Sequence, residues 1–392
     1  MKKFQTFVFP GTFDPITNGH LRLIREMLNF IGEKDKLCIG VSNSPLKKPI
    51  LSFDDRYEST KSSLKKANLL SDRIIVEKIQ GNTAEFINKK NAICLRGIRN
   101  LEDLIYESYW PISRSSNHPV ENFFLLPLLN ENSYQISSTF FKNKIDEFIK
   151  KNPKISFEKL YSLLKDIAPY DVVKILYQMK TGKEVVKDID HDEIMIEDIN
   201  ENRKQKNSLL IADYNILDNG YLELMIQAAN LSEELIIAIP QFIQHEKIEF
   251  SKRLDLTKRI VEKLRNDFNI QNIRIIAYDL IFNNPIDLQN LFEQNNIEQY
   301  FLEVREYHTR NKERLENIFN QISFLYKNKI KSMIFLQEKY RDFSQPVILQ
   351  MGHDSFDRES KKLLLNENRK LTDVLPHDSI VLLEEYLKDF YK

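Results

Sequence analysis

Gly11-Thr-Phe-Asp-Pro-Ile-Thr-Asn-Gly-His20 decides how this chain is read. An apolar run from Phe4 to Phe9 leads into it, and Pro10 and Gly11 are expected to break that strand. Beyond it, Leu23, Ile24, Met27, Leu28 and Ile31 recur at helical spacing. The stretch therefore lies on a strand-to-helix turn, where helix-start N–H groups and the helix dipole favour an anion. Gly11 is expected to let the backbone approach a phosphate, and Gly19 to let the helix begin close to the sheet. His20, at the helix start, is placed to donate to a phosphate oxygen as charge builds in a transition state.

Working outward, 392 residues suffice for two domains. At 42% apolar residues the chain can bury cores, which excludes a disordered protein. Lys plus Arg equals Asp plus Glu at 57 each, so no global field recruits nucleic acid or a membrane, and phosphate binding has to be local. Cys38 and Cys94 fall in apolar strand-like runs and give no disulfide framework, which fits a reducing cytoplasm. No signal-peptide core precedes the motif, and no apolar run approaches the roughly 20 residues of a membrane span. Seven of the nine glycines precede residue 183, so close backbone approach to phosphates belongs mostly to the first half.

Strands and helices alternate through that half. Strands are expected at Lys36–Val41, Arg73–Glu77, Ala92–Leu95 and Phe123–Leu126. Helices are expected from Asp55 to about Lys66, from Gly81-Asn-Thr83, from about Leu101, and after Tyr134–Thr139 to about Lys150. This alternation predicts a Rossmann-like doubly wound α/β domain with a parallel sheet, whose ligands bind beyond the carboxyl ends of the strands. Lys47, Arg96 and Arg99 all lie at such ends or in the loops that follow them. Converging cations there suit transfer between phosphates, where a protein mainly positions two anions and neutralises growing charge.

The opening motif resembles the T-x-G-H form of the H-x-G-H signature of small nucleotidyltransferases. Within them it is most similar to the bacterial phosphopantetheine adenylyltransferases, whose pattern is P-G-T-F-D-P-x-T-x-G-H. The resemblance runs from about residue 4 to 150, and more loosely to 180. It implies transfer of the adenylyl group of ATP to 4′-phosphopantetheine, giving dephospho-coenzyme A and pyrophosphate, with Mg²⁺ helping to neutralise the triphosphate. It implies that Lys47 and Arg96 hold the acceptor phosphate, that His20 stabilises the transition state, and that Thr12 touches both substrates. Thr83 falls at a pantetheine-contacting position. ATP falls to Thr12, Phe13, His20, Gly97, Ile98, Arg99 and Glu107, and to the loop of Ser133, Tyr134, Gln135, Ile136, Ser137, Ser138 and Thr139. The chain departs from the pattern in Ser133-Tyr-Gln, where the family has Tyr-Ser-Phe, and in Trp110-Pro111, where Pro111 is expected to kink or end a helix. Cytidylyltransferases of the same superfold usually carry H-x-G-H and R-T-E-G-I-S-T-T, and neither is here. Two further readings stay open: another small phosphorylated acceptor, or a regulatory nucleotide- or coenzyme-A-binding protein without turnover.

Residues 151–182 read as helices, one headed by Pro169, closing a domain over 1–182. Residues 183–206 are dense in charge and read as a solvated linker; no turn glycine or ligand spacing supports a metal site at Asp190-His-Asp-Glu193. Residues 207–392 read as a degenerate second copy. Asn18-Gly19 recurs as Asn219-Gly220, Phe53-Asp-Asp-Arg56 as Phe250-Ser-Lys-Arg253, and the Pro169 helix as the Pro376 helix. Chemistry is lost there: Gly11 reads Ala212, His20 reads Tyr221, Arg96 reads Glu303, Lys47 reads about Gln244, and Phe343-Ser-Gln-Pro346 stands in place of the serine loop. The expected role of this copy is to pack on the first as a neighbouring subunit would, standing in for a subunit of a homo-oligomer.

Overall fold

The computed structural model describes residues 5–43, 48–113, 123–127, 136–185, 206–211, 217–241, 248–278, 285–304, 312–327, 331–336, 356–363 and 375–390. The chain forms two compact units. Phe4–Asp103 and Leu128–Arg203 make the first; Leu104–Pro127 and Lys204–Lys392, with Met1–Lys3, make the second.

The first unit alternates β1 (Thr6–Gly11), α1 (Asn18–Phe30), β2 (Lys36–Ser42), α2 (Phe53–Lys66), β3 (Ile74–Ile79), α3 (Thr83–Lys89) and β4 (Ile93–Ile98). Its strands run parallel in the order β3-β2-β1-β4. Phe7, Val8, Leu37, Cys38, Ile39 and Val41 are fully buried, the continuous apolar pattern of strands covered on both faces. Strands run further than expected, and two of them continue through residues read as breakers. β1 carries on through Pro10 and Gly11, which pair in register with Gly40 and Val41. A proline is tolerated there because β1 meets β4 only at Phe7 and Val8, so Pro10 needs no donor toward that side. β4 runs to Ile98, so Arg96, Gly97 and Ile98 are strand residues.

α4 (Leu101–Ser113) and β5 (Phe123–Pro127) follow in the chain, and from Leu104 onward they cluster with the second unit. α4 includes Pro111 and ends two residues beyond it, which places the proline in the last turn, where ending the helix costs little. The first unit resumes with α5 (Ser138–Lys151), α6 (Phe157–Leu164) and α7 (Tyr170–Thr181). Pro169 caps α7, and Gly182 closes it in the left-handed conformation.

The second unit contains β6 (Lys206–Ile211), α8 (Asn219–Asn230), β7 (Ser232–Pro240), α9 (Phe250–Phe268), β8 (Ile273–Tyr278), α10 (Pro285–Gln294), β9 (Gln299–Val304), α11 (Lys312–Lys327) and β10 (Lys331–Leu336). A short hairpin, β11 (Phe356–Asp357) with β12 (Lys362–Leu363), precedes α12 (His377–Phe390). Its parallel strands take the order β8-β7-β6-β9-β10, the same permutation as in the first unit. One pair departs from the all-parallel expectation: β5 runs antiparallel to β10, with Phe124 opposite Phe335. An antiparallel neighbour needs no crossover helix, so an edge strand can accept it. Leu209, Ile236, Phe292, Tyr300 and Leu325 form the core of this unit. Among the described residues no helix is long and apolar enough to cross a membrane.

The two units share internal devices. Arg56 and Arg253 are both fully buried, and each lies over a phenylalanine three residues earlier, Phe53 and Phe250. Lys66 on α2 pairs with Asp171 on α7 at 2.6 Å, and Lys263 on α9 pairs with Asp378 on α12.

Cys38 and Cys94 are opposite Val8 on its two neighbouring strands. Two strand spacings, roughly 9–10 Å, separate them, too far for a disulfide. Burial, reinforced by the Glu77 carboxylate, pushes the Cys38 thiol up to about 12. At pH 8 about one Cys38 in 10⁴ is then thiolate, the reactive form. Ellman's reagent should therefore label neither cysteine of the folded chain on the time scale of minutes, and both in guanidinium chloride; rapid labelling of the native protein would contradict this packing.

Candidate active site

The turn after β1 is fixed by three side chains. Phe13 adopts φ +46°, uncommon outside glycine, and its buried ring packs edge-on against Phe9 and His20 at centroid distances of 5.5 and 5.3 Å. Gly11 accommodates that ring: a Cβ there would stand 2.7 Å from it. The close approach at Gly11 is thus to Phe13. Asp14, 5% exposed, accepts N–H bonds from Ile50 and Leu51 at 2.9 Å and pairs with Lys142 of α5 at 3.0 Å. Arg56 donates to the Thr12 carbonyl at 2.7 Å. Burial lowers the pKa of its guanidinium and the Asp14 charge partly offsets this, but it stays charged at any ordinary pH.

α1 starts under equally tight control. The Asn18 N–H donates to the Ile167 carbonyl at 2.9 Å and its side-chain amide to the Lys165 carbonyl at 2.8 Å, tying the helix start to the α6–α7 connection. The Thr17 N–H donates to Nδ1 of His20 at 3.1 Å, with the Thr17 hydroxyl 2.8 Å from the same nitrogen. Nδ1 is thereby an acceptor, and the proton of the neutral ring sits on Nε2. The ring thus closes a reciprocal cap and carries its N–H on the opposite edge.

The third segment is the start of α5. A Cβ on Gly19 would lie 2.3 Å from the Ile136 carbonyl oxygen, so only glycine allows this approach. The requirement at Gly19 comes from the Ile136 backbone rather than from the sheet. Ser137 caps α5 by accepting the Phe140 N–H at 3.1 Å. The Ser138 hydroxyl donates to the Pro15 carbonyl at 2.8 Å, while Thr139 is exposed in the first turn.

Arg96 points from β4 to the end of β1, where Nη1 donates to the Pro10 carbonyl. Arg99 is held by Asp103: Nε and Nη2 reach its carboxylate at 2.6 and 3.0 Å, and the Arg99 N–H at 3.1 Å. Gly97 faces Leu23 of α1, and Ile98 is buried. Thr83 opens α3 behind its cap Asn82, whose side chain accepts the Ala84 N–H at 2.8 Å. Glu107 is buried on α4 and clusters with the second unit. Phe13 and His20 are in direct contact, while Arg96 reaches Pro10, Ile136 reaches Thr17 and Gly19, and Ser138 reaches Pro15, so these residues gather around the segment that joins β1 to α1. Lys47, Ser133, Tyr134, Gln135 and the Asp190–Glu193 cluster lie outside the described residues. Among the described residues no group of three or more His, Cys, Asp or Glu side chains is placed to hold a metal ion. Asp14, Arg56 and Lys142 were not among the expected site residues; the recurrence of Phe-x-x-Arg was the available signal for Arg56.

Helix starts and a strand-end arginine gathered at the end of β1 suit the binding of phosphates, and the Cytidylyltransferase-like family profile matches residues 8–144. The chain is 35% identical over 151 residues to a phosphopantetheine adenylyltransferase of Vesicomyosocius okutanii, covering 37% of this chain and 86% of that one. It is 32% identical over 161 residues to that of Helicobacter hepaticus, covering 40% and 92%, and 31% identical over 121 residues to that of Carboxydothermus hydrogenoformans, covering 30% and 70%. The chain belongs to the phosphopantetheine adenylyltransferase family. A solved nicotinic acid mononucleotide adenylyltransferase of Plasmodium falciparum, complexed with NaAD, aligns at 14% identity and a TM-score of 0.29 over 43% of this chain and 98% of that one, a likeness too low to bear on the fold.

Gly19→Ala should destabilise the chain by about 1–3 kcal/mol, the cost of forcing a methyl into a packed site. The check is the denaturant midpoint with an unchanged slope. A loss near zero would mean that Ile136 moves away easily and that the approach is not a constraint.

Proposed function

We propose that this nucleotidyltransferase transfers the adenylyl group of ATP to 4′-phosphopantetheine, giving dephospho-coenzyme A and pyrophosphate. The observation that carries the reading is the His20 ring, whose Nδ1 is committed to Thr17 at 3.1 Å and whose Nε2 therefore bears the proton. A phosphate oxygen of the acceptor attacks the α-phosphorus; the bond from that phosphorus to the bridging oxygen breaks, and pyrophosphate leaves with the electron pair. Charge grows on the α-phosphate oxygens, where a neutral N–H donor stabilises it without first having to lose a proton. Arg96, at the end of β4, supplies a fixed positive charge beside the turn, and Lys47 is assigned with it to the acceptor phosphate. Thr12 and the N–H groups of Gly19, Ser138 and Thr139 at the starts of α1 and α5 complete the cradle, with Thr83 on the pantetheine arm and Arg99 and Ser133–Thr139 toward ATP. Arg99 would have to exchange the carboxylate of half-buried Asp103 for phosphate, one anion for another. Mg²⁺ enters this reading as a companion of the triphosphate, held by phosphate oxygens and water; no step depends on a protein cage for it. A reducing cytoplasm is the compartment that suits the two thiols.

We also infer that residues 207–392 are a degenerate copy of residues 1–182 across a linker at 183–206, and that they have no active site of their own. The shared strand order, the paired buried arginines and the paired Lys–Asp bridges support duplication. Tyr221, at the place of His20, supports loss of chemistry: it has no ring nitrogen, and its N–H is capped directly by Asp218 at 2.9 Å.

Pyrophosphate release from ATP should require 4′-phosphopantetheine and fail with a panel of other phosphorylated acceptors; release with another acceptor alone would replace the substrate assignment. His20→Ala should lower kcat by at least about 10²-fold with little change in ATP affinity. Calorimetric titration of the intact chain with ATP should give one site, and two sites of similar affinity would refute a silent second unit.

A further inference from the structure

We propose that Arg56 is a positioning residue for the acceptor side of the site, holding the Thr12 turn, the end of β2 at Ser42–Asn43 and Leu51 before α2 in one frame. Its guanidinium is fully buried, yet it has no hydrogen-bonded carboxylate partner in the described structure; it is spent on oxygen acceptors of the backbone and one side chain. Nη1 donates to the carbonyls of Thr12 and Ser42, both at 2.7 Å. Nε donates to the Leu51 carbonyl at 3.3 Å, and Nη2 to Oδ1 of Asn43 at 3.2 Å. One planar group thus joins the residue after β1, the last residue of β2 and the residue before the α2 cap. Leu51 is gripped twice, because its N–H donates to Asp14 at 2.9 Å while its carbonyl accepts from Arg56. Both anchors of that grip involve the Thr12–Asp14 turn: Asp14 belongs to it, and Arg56 on α2 donates to its Thr12 carbonyl. Lysine cannot reproduce the fork, since its three donors radiate from a single nitrogen.

The second unit supplies an internal reference. Arg253 makes the same fork, with Nε on the Ile248 carbonyl at 3.0 Å, Nη1 on Pro240 at 3.0 Å and Nη2 on Gln241 at 3.2 Å. Ile248 precedes Arg253 by five residues, as Leu51 precedes Arg56. A purely architectural role would make the two arginines equivalent; a positioning role separates them by what the held segment faces. The proposal rests on the reading that the β2–α2 segment faces the phosphorylated acceptor.

The test uses the full chain and three variants, Arg56→Lys, Arg253→Lys and Asn43→Ala, with KM measured separately for ATP and for 4′-phosphopantetheine. Arg56→Lys should raise the acceptor KM by about tenfold or more and the ATP KM by severalfold less, because the Thr12 turn is assigned to both substrates and the other held residues to the acceptor side alone. Arg253→Lys should change neither KM. Equal rises for both substrates, no rise, or the same split in Arg253→Lys would overturn the proposal. If Arg56→Lys does not fold, Asn43→Ala, which removes one exposed acceptor of the fork, carries the test: a severalfold rise in acceptor KM alone supports the proposal, and no change refutes it. If the wild-type chain does not use 4′-phosphopantetheine, the substrate reading fails by itself. Amide hydrogen exchange then decides positioning: Ile50 and Leu51 should exchange faster in Arg56→Lys or Asn43→Ala and not in Arg253→Lys, and unchanged exchange would overturn it.

Discussion

A carboxylate with almost no exposure at the mouth of a parallel sheet has to be fully hydrogen-bonded, and Asp14 meets that constraint by gathering three parts of the chain. Its oxygens take the Ile50 and Leu51 N–H groups, and its charge is balanced by Lys142. Removing one partner of a buried pair typically costs about 3–5 kcal/mol, because the other charge is left uncompensated. The turn after β1, the segment before α2 and the body of α5 are consequently placed by one side chain. His20 and the Ile136–Ser138 segment stand within that frame, so the geometry around the first turn of α1 follows from the satisfaction of a buried charge.

On the proposed reading that the second unit is a silent copy, the two units separate what folds from what reacts. Arg56 and Arg253 keep one geometry, and Lys66–Asp171 has its counterpart in Lys263–Asp378. Each of these holds a helix to a strand end or to another helix. At the first turn of the opening helix the units differ: Thr17 and His20 cap each other in α1, while Asp218 caps Tyr221 in α8. Packing devices recur while the ring that offers an N–H does not, which is the pattern expected when burial is retained after the demand for chemistry ends.

The alternation of strand and helix was legible in the sequence because apolar runs such as Leu37–Val41 and helical spacings such as Leu23–Met27 are local signals. The ends of β1 and β4 were not, because Pro10-Gly11 and Arg96-Gly97 look like breakers until the neighbouring strand is known. The antiparallel pairing of β5 with β10 was equally hidden, since partners two hundred residues apart leave no local trace. In the site, the family-like motif marked Thr12, His20, Arg96 and the serines. What each glycine accommodates was misjudged: a ring at Gly11 and a carbonyl at Gly19 are tertiary facts. Arg56 escaped notice for a related reason, because an arginine near a helix start reads as a surface charge or a phosphate ligand, and only coordinates reveal a fork filled by carbonyls.

The shared duty of the His20 ring has an evolutionary consequence. If, as proposed, the imidazole that closes the cap of α1 also carries the donor, selection on helix stability and selection on turnover act on the same side chain. Drift at this position is doubly constrained for as long as both are under selection. A side chain that caps the helix by itself, as Asp218 does for α8, uncouples the two. Once that uncoupling occurs the ring can be lost without fraying the helix, and a silent unit can persist as a stable fold with no path of small steps leading back.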